Sequence, residues 1–155
     1  MTTGYYADKL ARLRAGDYDR SFPGKVQAAM ELAQNGVTEP PVGSVLVQAI
    51  EAERRGERIM ALHGALYGVC AEHMREDPVV VNAMQHFASL GDEDAMFALG
   101  VMGLASTRTQ LESAAARGNA AAKAAINCFG ANWSVIFEEW MRLRRDQIKA
   151  ERDKS

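Results

Sequence analysis

The residues of this 155-residue chain with the most reactive side chains are three histidines and two cysteines. His63, Cys70 and His73 fall on one predicted helix. Cys70 and His73 are three apart and share a face, and His63 stands two turns before Cys70. Together with His86 from the next predicted helix they outline a zinc site. The usual zinc-ligand spacings are missing, and Cys128 is far off in sequence. A small core hydrophobe at Cys70 with histidines at helix edges accounts for the same pattern. A di-iron bundle needs Glu-x-x-His pairs, but the positions three before the histidines hold Met60, Cys70 and Ala83. No P-loop, dinucleotide fingerprint or nucleophile elbow is present. The sequence therefore predicts no catalytic residue, no metal ligand set and no cofactor. A helical metal-binding protein or enzyme around His63, Cys70 and His73 stands as an alternative to the leading expectation below.

Recognition chemistry is better represented. Trp133, Ile136, Phe137, Trp140 and Met141 follow helical spacing near the C-terminus, with Leu143 and Ile148 beyond. A closing helix docked on its neighbours has this pattern, and so does a partner-binding or dimerising helix, because tryptophans supply interface anchors. A second candidate is electrostatic. Between Glu72 and Asp94 the acids are Glu72, Glu76, Asp77, Asp92, Glu93 and Asp94, against Arg75 alone. Acids in first helical turns suit the helix dipole, and an acidic patch also steers a basic partner. The candidate partner-binding residues are these six acids with Trp133, Phe137 and Trp140.

The elements that carry these residues read as helices. Alanine, leucine, methionine, glutamate and arginine dominate, and runs of strand-forming residues are nearly absent. Val45–Val47 and Val79–Val81 are the best strand candidates, but each continues into helix-favouring sequence and is taken as a helix start. Helices are expected over about 5–15, 25–35, 44–55 (Ser44 as N-cap), 58–75, 78–90 (Asp77 as cap, Pro78 in the first turn), 93–105 (Asp92 as cap), from Thr107 or Thr109 to Arg117, 120–128 (Asn119 as cap) and 133–151. Gly16, Gly36, Gly56, Gly91 and Gly118 close the helices before them.

Two segments align on their glycines: Met84, Ala88, Gly91-Asp92, Ala95, Leu99, and Leu111, Ala115, Gly118-Asn119, Ala122, Ile126. Glycine ends one helix, Asp or Asn caps the next, and alanines let the two approach closely. In Ala88-Ser-Leu-Gly91-Asp92-Glu-Asp-Ala95-Met-Phe-Ala-Leu99-Gly100 the segment resembles a Sel1-like repeat, a relative of the tetratricopeptide helix-turn-helix unit. The second copy follows the pattern until Asn127, which stands where the final glycine is expected. The glycines lie 27 residues apart, against about 34 for a tetratricopeptide unit. The resemblance covers roughly 84–127. It implies a scaffold for partner proteins and no catalytic residues.

These observations predict an all-α fold of short antiparallel helix hairpins, packed as an irregular α-solenoid or a compact helical bundle. A single domain over 1–155 is expected, with a repeat-like core at 84–127 and a C-terminal aromatic helix at 133–151. The net charge of −2 gives no broad electrostatic reason to bind nucleic acid or an acidic membrane. No run of apolar residues is long enough to span a bilayer. The first residues carry neither a basic head nor an apolar stretch, so the expected address is the cytoplasm, where both cysteines would stay reduced. The leading functional expectation is a non-enzymatic protein-binding module: an adaptor, regulator or inhibitor of another protein. The alternative is a homo-oligomer formed through the C-terminal helix.

Overall fold

The computed structural model describes residues 2–57 and 63–154. Among them the chain is all-α, with nine helices and no strand: α1 (Thr2–Ala15), α2 (Phe22–Gln34), α3 (Val42–Arg54), α4 (His63–His73), α5 (Pro78–Ser89), α6 (Glu93–Met102), α7 (Ala105–Ala116), α8 (Ala120–Asn127) and α9 (Trp133–Asp153). The expected helix start at Arg58 lies outside the described residues. Contacts group the chain into two units, Met1–Ala83 and Met84–Ser155.

In the first unit α2 packs on α1, α3 and α4, and α3 packs on α4. Val26, Leu32, Leu46, Ile50, Leu66 and Tyr67 have no exposed surface and form its interior. Lys9 on α1 reaches Glu31 on α2 at 2.8 Å, tying the two helices at their rim. In the second unit each of α6, α7 and α8 packs on its successor, while α8 also packs on α6 and α9 also packs on α6. Phe97, Leu99, Met102, Leu111 and Ile136 fill its centre. Alanines line the α8 face that meets the others: Ala121, Ala122, Ala124 and Ala125 are all buried.

The helix ends follow one rule. At Gly16, Gly36, Gly56, Gly91 and Gly118 the glycine adopts φ between 83° and 92°. In every case its N–H donates to the carbonyl three residues back, and the next N–H donates to the carbonyl four before the glycine; at Gly91 these bonds are 3.0 Å to Ala88 O and 3.2 Å, from Asp92, to Phe87 O. A side chain at such a φ is strained, which is why glycine occupies the position. What sets Gly91 and Gly118 apart is the residue that follows. Asp92 accepts a bond from Ala95 N at 3.1 Å, and Asn119 accepts from Ala122 N at 2.9 Å. Their backbones agree to within a few degrees, φ −69° and ψ 114° against φ −70° and ψ 117°.

Several expected boundaries are corrected: α1 begins at Thr2, and α2 begins at Phe22 with Ser21 as its cap. α3 begins at Val42, and Ser44 lies inside it, donating its hydroxyl to Pro41 O at 2.9 Å. α6 stops at Met102 because Gly103 takes φ 65°, not at Ala105. α7 begins at Ala105, with Thr107 two residues inside. Its Oγ1 accepts from Leu104 N at 3.2 Å and donates to Leu104 O at 2.9 Å, so it fastens the helix start from within. Both Val45 and Val79 lie in the first turn of their helices.

Candidate functional site

The aromatic residues of α9 converge on one side chain from α6. Phe97, only 2% exposed, meets Trp133 edge-on at 5.7 Å, Phe137 at 6.2 Å and Trp140 at 5.7 Å. Phe137 and Trp140 are 5.6 Å apart and tilted by 33°. Edge-to-face pairs place the positive ring edge against a negative ring face, and each adds about 0.5–1.5 kcal/mol beyond its buried area. Asn132 sets the entry angle of α9 by capping it, accepting from Val135 N at 3.1 Å. Ile136 is fully buried beneath the cluster. The indole Nε1 of Trp140 is shielded from water without a hydrogen-bond partner, and the Arg144 guanidinium lies 5.1 Å from the same ring.

Only part of the α9 surface is consumed by this docking. Trp133 and Trp140 are half-buried, whereas Phe137 stays 39%, Met141 40% and Ile148 61% exposed. At 100° per residue these three fall within one narrow strip beside the docked face. From Arg144 to Lys154 every residue is exposed. A polar ladder secures the middle of the helix. Arg142 donates to Glu139 and, at 3.0 Å, to Asp146, and Asn127 on α8 donates to Glu139 at 3.2 Å. The Arg142 hydrogen bond holds the Glu139 carboxyl below its ordinary value of 4.5, against a smaller opposing effect of burial.

The six acids divide between the two units. Glu72, Glu76 and Asp77 lie in the first, along an open groove of about 620 Å³ that also includes His73, Thr38 and Pro40. Asp77 is occupied structurally: its Oδ1 accepts from Val79 N at 2.9 Å and so caps α5, and its Oδ2 sits where a side chain on Gly43 would otherwise be. In the second unit Asp92 caps α6, while Glu93 and Asp94 occupy its first turn, Glu93 exposed and Asp94 half-buried.

The histidine and cysteine set is split by burial. Cys70 is fully buried, and burial first, with the Asp77 charge second, pushes its thiol up to about 12. His73, three residues on, is exposed. His86 lies in the second unit against Phe87, and the side chain of His63 is outside the described ones. Among the described residues no three His, Cys, Asp or Glu side chains gather as a metal site.

Two features had little signal in the sequence. Phe97 sits in an α6 that is buried along almost its whole length, and nothing in spacing marks it as the centre of the α9 contacts. An open groove of about 410 Å³ lies along α7, where Ser106, Thr109, Gln110 and Ser113 stand beside Met96 and Ala88, with Gln110 Nε2 donating to Gln85 O at 2.8 Å. Its trace in sequence is the recurrence of small polar residues every three or four positions.

The chain is thus an all-α protein built from glycine-cornered helices, with an aromatic-docked helix at its C-terminal end. No helix among the described residues is long and apolar enough to cross a membrane. Comparison with known proteins found no matching family model, no matching curated protein and no matching solved structure.

Proposed function

We propose that the chain is a non-enzymatic protein-binding module, an adaptor, regulator or inhibitor of a partner protein, and that α9 is its contact element. The observation that carries this is the exposed strip of Phe137, Met141 and Ile148 on a helix already fixed by Phe97, Trp133 and Trp140. A rigidly held helix loses little freedom on binding, which favours recognition. The two alike capped corners at Gly91 and Gly118 support the scaffold role that the Sel1-like resemblance implies. Glu93 supplies an exposed negative charge in the same unit and is a secondary contact candidate, whereas Asp77 and Asp92 are spent on helix caps.

The test is affinity capture from the native host with the parent chain and with Phe137→Glu/Ile148→Glu. The parent should retain a specific protein. The variant should lose it while its circular-dichroism spectrum stays helical. Equal capture by both, or no specific protein with the parent, overturns the proposal.

A further inference from the structure

Charge along α9 is arranged by position. Phe137, Met141, Arg144 and Ile148 follow one another at spacings of four, three and four, an order that reads the same from either end. Beside this strip, on one flank, stand Glu138 towards the helix start and Arg145 and Lys149 towards its end. All three are exposed. Arg142 pairs with Glu139 and with Asp146, away from this flank. Glu138 and Arg145 are seven residues apart, about two turns or roughly 10 Å along the axis, too far to pair within one helix.

We infer that this face of α9 is covered by α9 of a second copy of the chain, running antiparallel. A two-fold axis across the seam brings matching flanks together, so that a contact from residue i to residue j is repeated from j to i. With the axis between Arg142 and Leu143, Phe137 faces Ile148 of the other copy and Met141 faces its Arg144 stem. Glu138 then falls between Arg145 and Lys149 of the other copy, and the symmetry makes the arrangement twice. A parallel two-fold pairing puts this flank of the two copies on opposite sides of the seam, so Glu138 meets neither Arg145 nor Lys149 of the other copy. Flanking charges of this kind choose partner and orientation in paired helices. Self-pairing rests on α9 being the contact element, and a partner protein captured there competes with the second copy for the same strip.

The experiment is sedimentation equilibrium on the full chain through the micromolar range. It compares the parent, Glu138→Arg, Arg145→Glu/Lys149→Glu, and an equimolar mixture of the two variants. The substituted side chains are exposed, and circular dichroism checks that each variant stays helical. The parent should dimerise with rising concentration. Each variant alone should associate about tenfold more weakly or less, since attraction becomes repulsion at both symmetry-related positions. The mixture should recover the parent's association as a heterodimer, because an antiparallel pair of unlike variants sets opposite charges together at both places. A parent that stays monomeric, a dimer indifferent to the charge reversals, or a mixture that does not recover overturns self-pairing. A monomer that still captures another protein through Phe137 and Ile148 overturns self-pairing alone. A dimer that captures nothing overturns only the adaptor reading.

Discussion

Gly100 and Gly68 are both helical glycines, yet the same substitution should move stability in opposite directions. Gly100 is buried in α6. A Cβ placed there lies 2.7 Å from Ala125 Cβ, 3.0 Å from Ile136 Cδ1 and 3.1 Å from Ala125 Cα. Ile136 can swing its terminal carbon, but the Ala125 backbone moves only if α8 moves. Overpacking costs about 1–3 kcal/mol, and a backbone-fixed neighbour at 2.7 Å puts this site in the upper part of that range, about 2–3 kcal/mol. Against it stands the helix-propensity gain of alanine over glycine, about 1 kcal/mol. The net for Gly100→Ala is a loss of about 1–2 kcal/mol. At about 4–8 °C per kcal/mol for a unit of this size, the unfolding midpoint falls by roughly 5–15 °C. Gly68, in the middle of α4, has no atom within 4 Å of the added carbon. Gly68→Ala keeps only the propensity term and should gain up to about 1 kcal/mol. Both tryptophans, Trp133 and Trp140, stand on α9 in the unit that holds Gly100. Urea unfolding followed by tryptophan fluorescence therefore reads Gly100→Ala, and far-ultraviolet circular dichroism reads Gly68→Ala. A Gly100→Ala chain as stable as the parent would refute the close approach of α6 and α8, and with it the packing that seats α9.

Three further outcomes are expected. Phe97→Ala should lose about 3–5 kcal/mol by removing the ring on which Trp133, Phe137 and Trp140 converge. Tryptophan emission should shift to the red, and a loss below about 1 kcal/mol in urea unfolding would contradict the docking. In thiol titration with a disulfide reagent, the half-buried Cys128 should react in the native chain and Cys70 only on unfolding. Burial raises the Cys70 thiol from 9.0 to about 12. Its contribution to stability is therefore whole below about pH 9 and is lost as pH rises towards the folded value, where the unfolded chain releases the proton first. Cys70→Ala should make the urea midpoint fall less between about pH 8 and about pH 10 than it does in the parent.

The helices were legible because their ends are written in local chemistry. Glycine followed by Asp or Asn fixes a corner through bonds that span five residues at most, so Gly91-Asp92 and Gly118-Asn119 could be located from the sequence. The misplaced boundaries arose where two local signals compete. Ser44 has the chemistry of a cap, but its hydroxyl turns back to Pro41 O from inside the first turn of α3. Thr107 likewise serves Leu104 from within α7. The face of α9 was visible in its spacing, and the side chain it closes on was not, because Phe97 and Trp140 are 43 residues apart and only packing brings them together. In the acidic segment Asp77 and Asp92 accept from backbone N–H groups two and three residues on, bonds that local sequence carries, while Glu72 and Asp94 lie in different units.

The five glycine corners complete their hydrogen bonds among their own residues, and at Gly36, Gly56, Gly91 and Gly118 no other atom crowds the turn. A joint that asks nothing of its surroundings can be copied, moved or spaced differently without redesign. The unequal intervals between these glycines are what such joints permit: the helices between them differ in length while the corner stays the same.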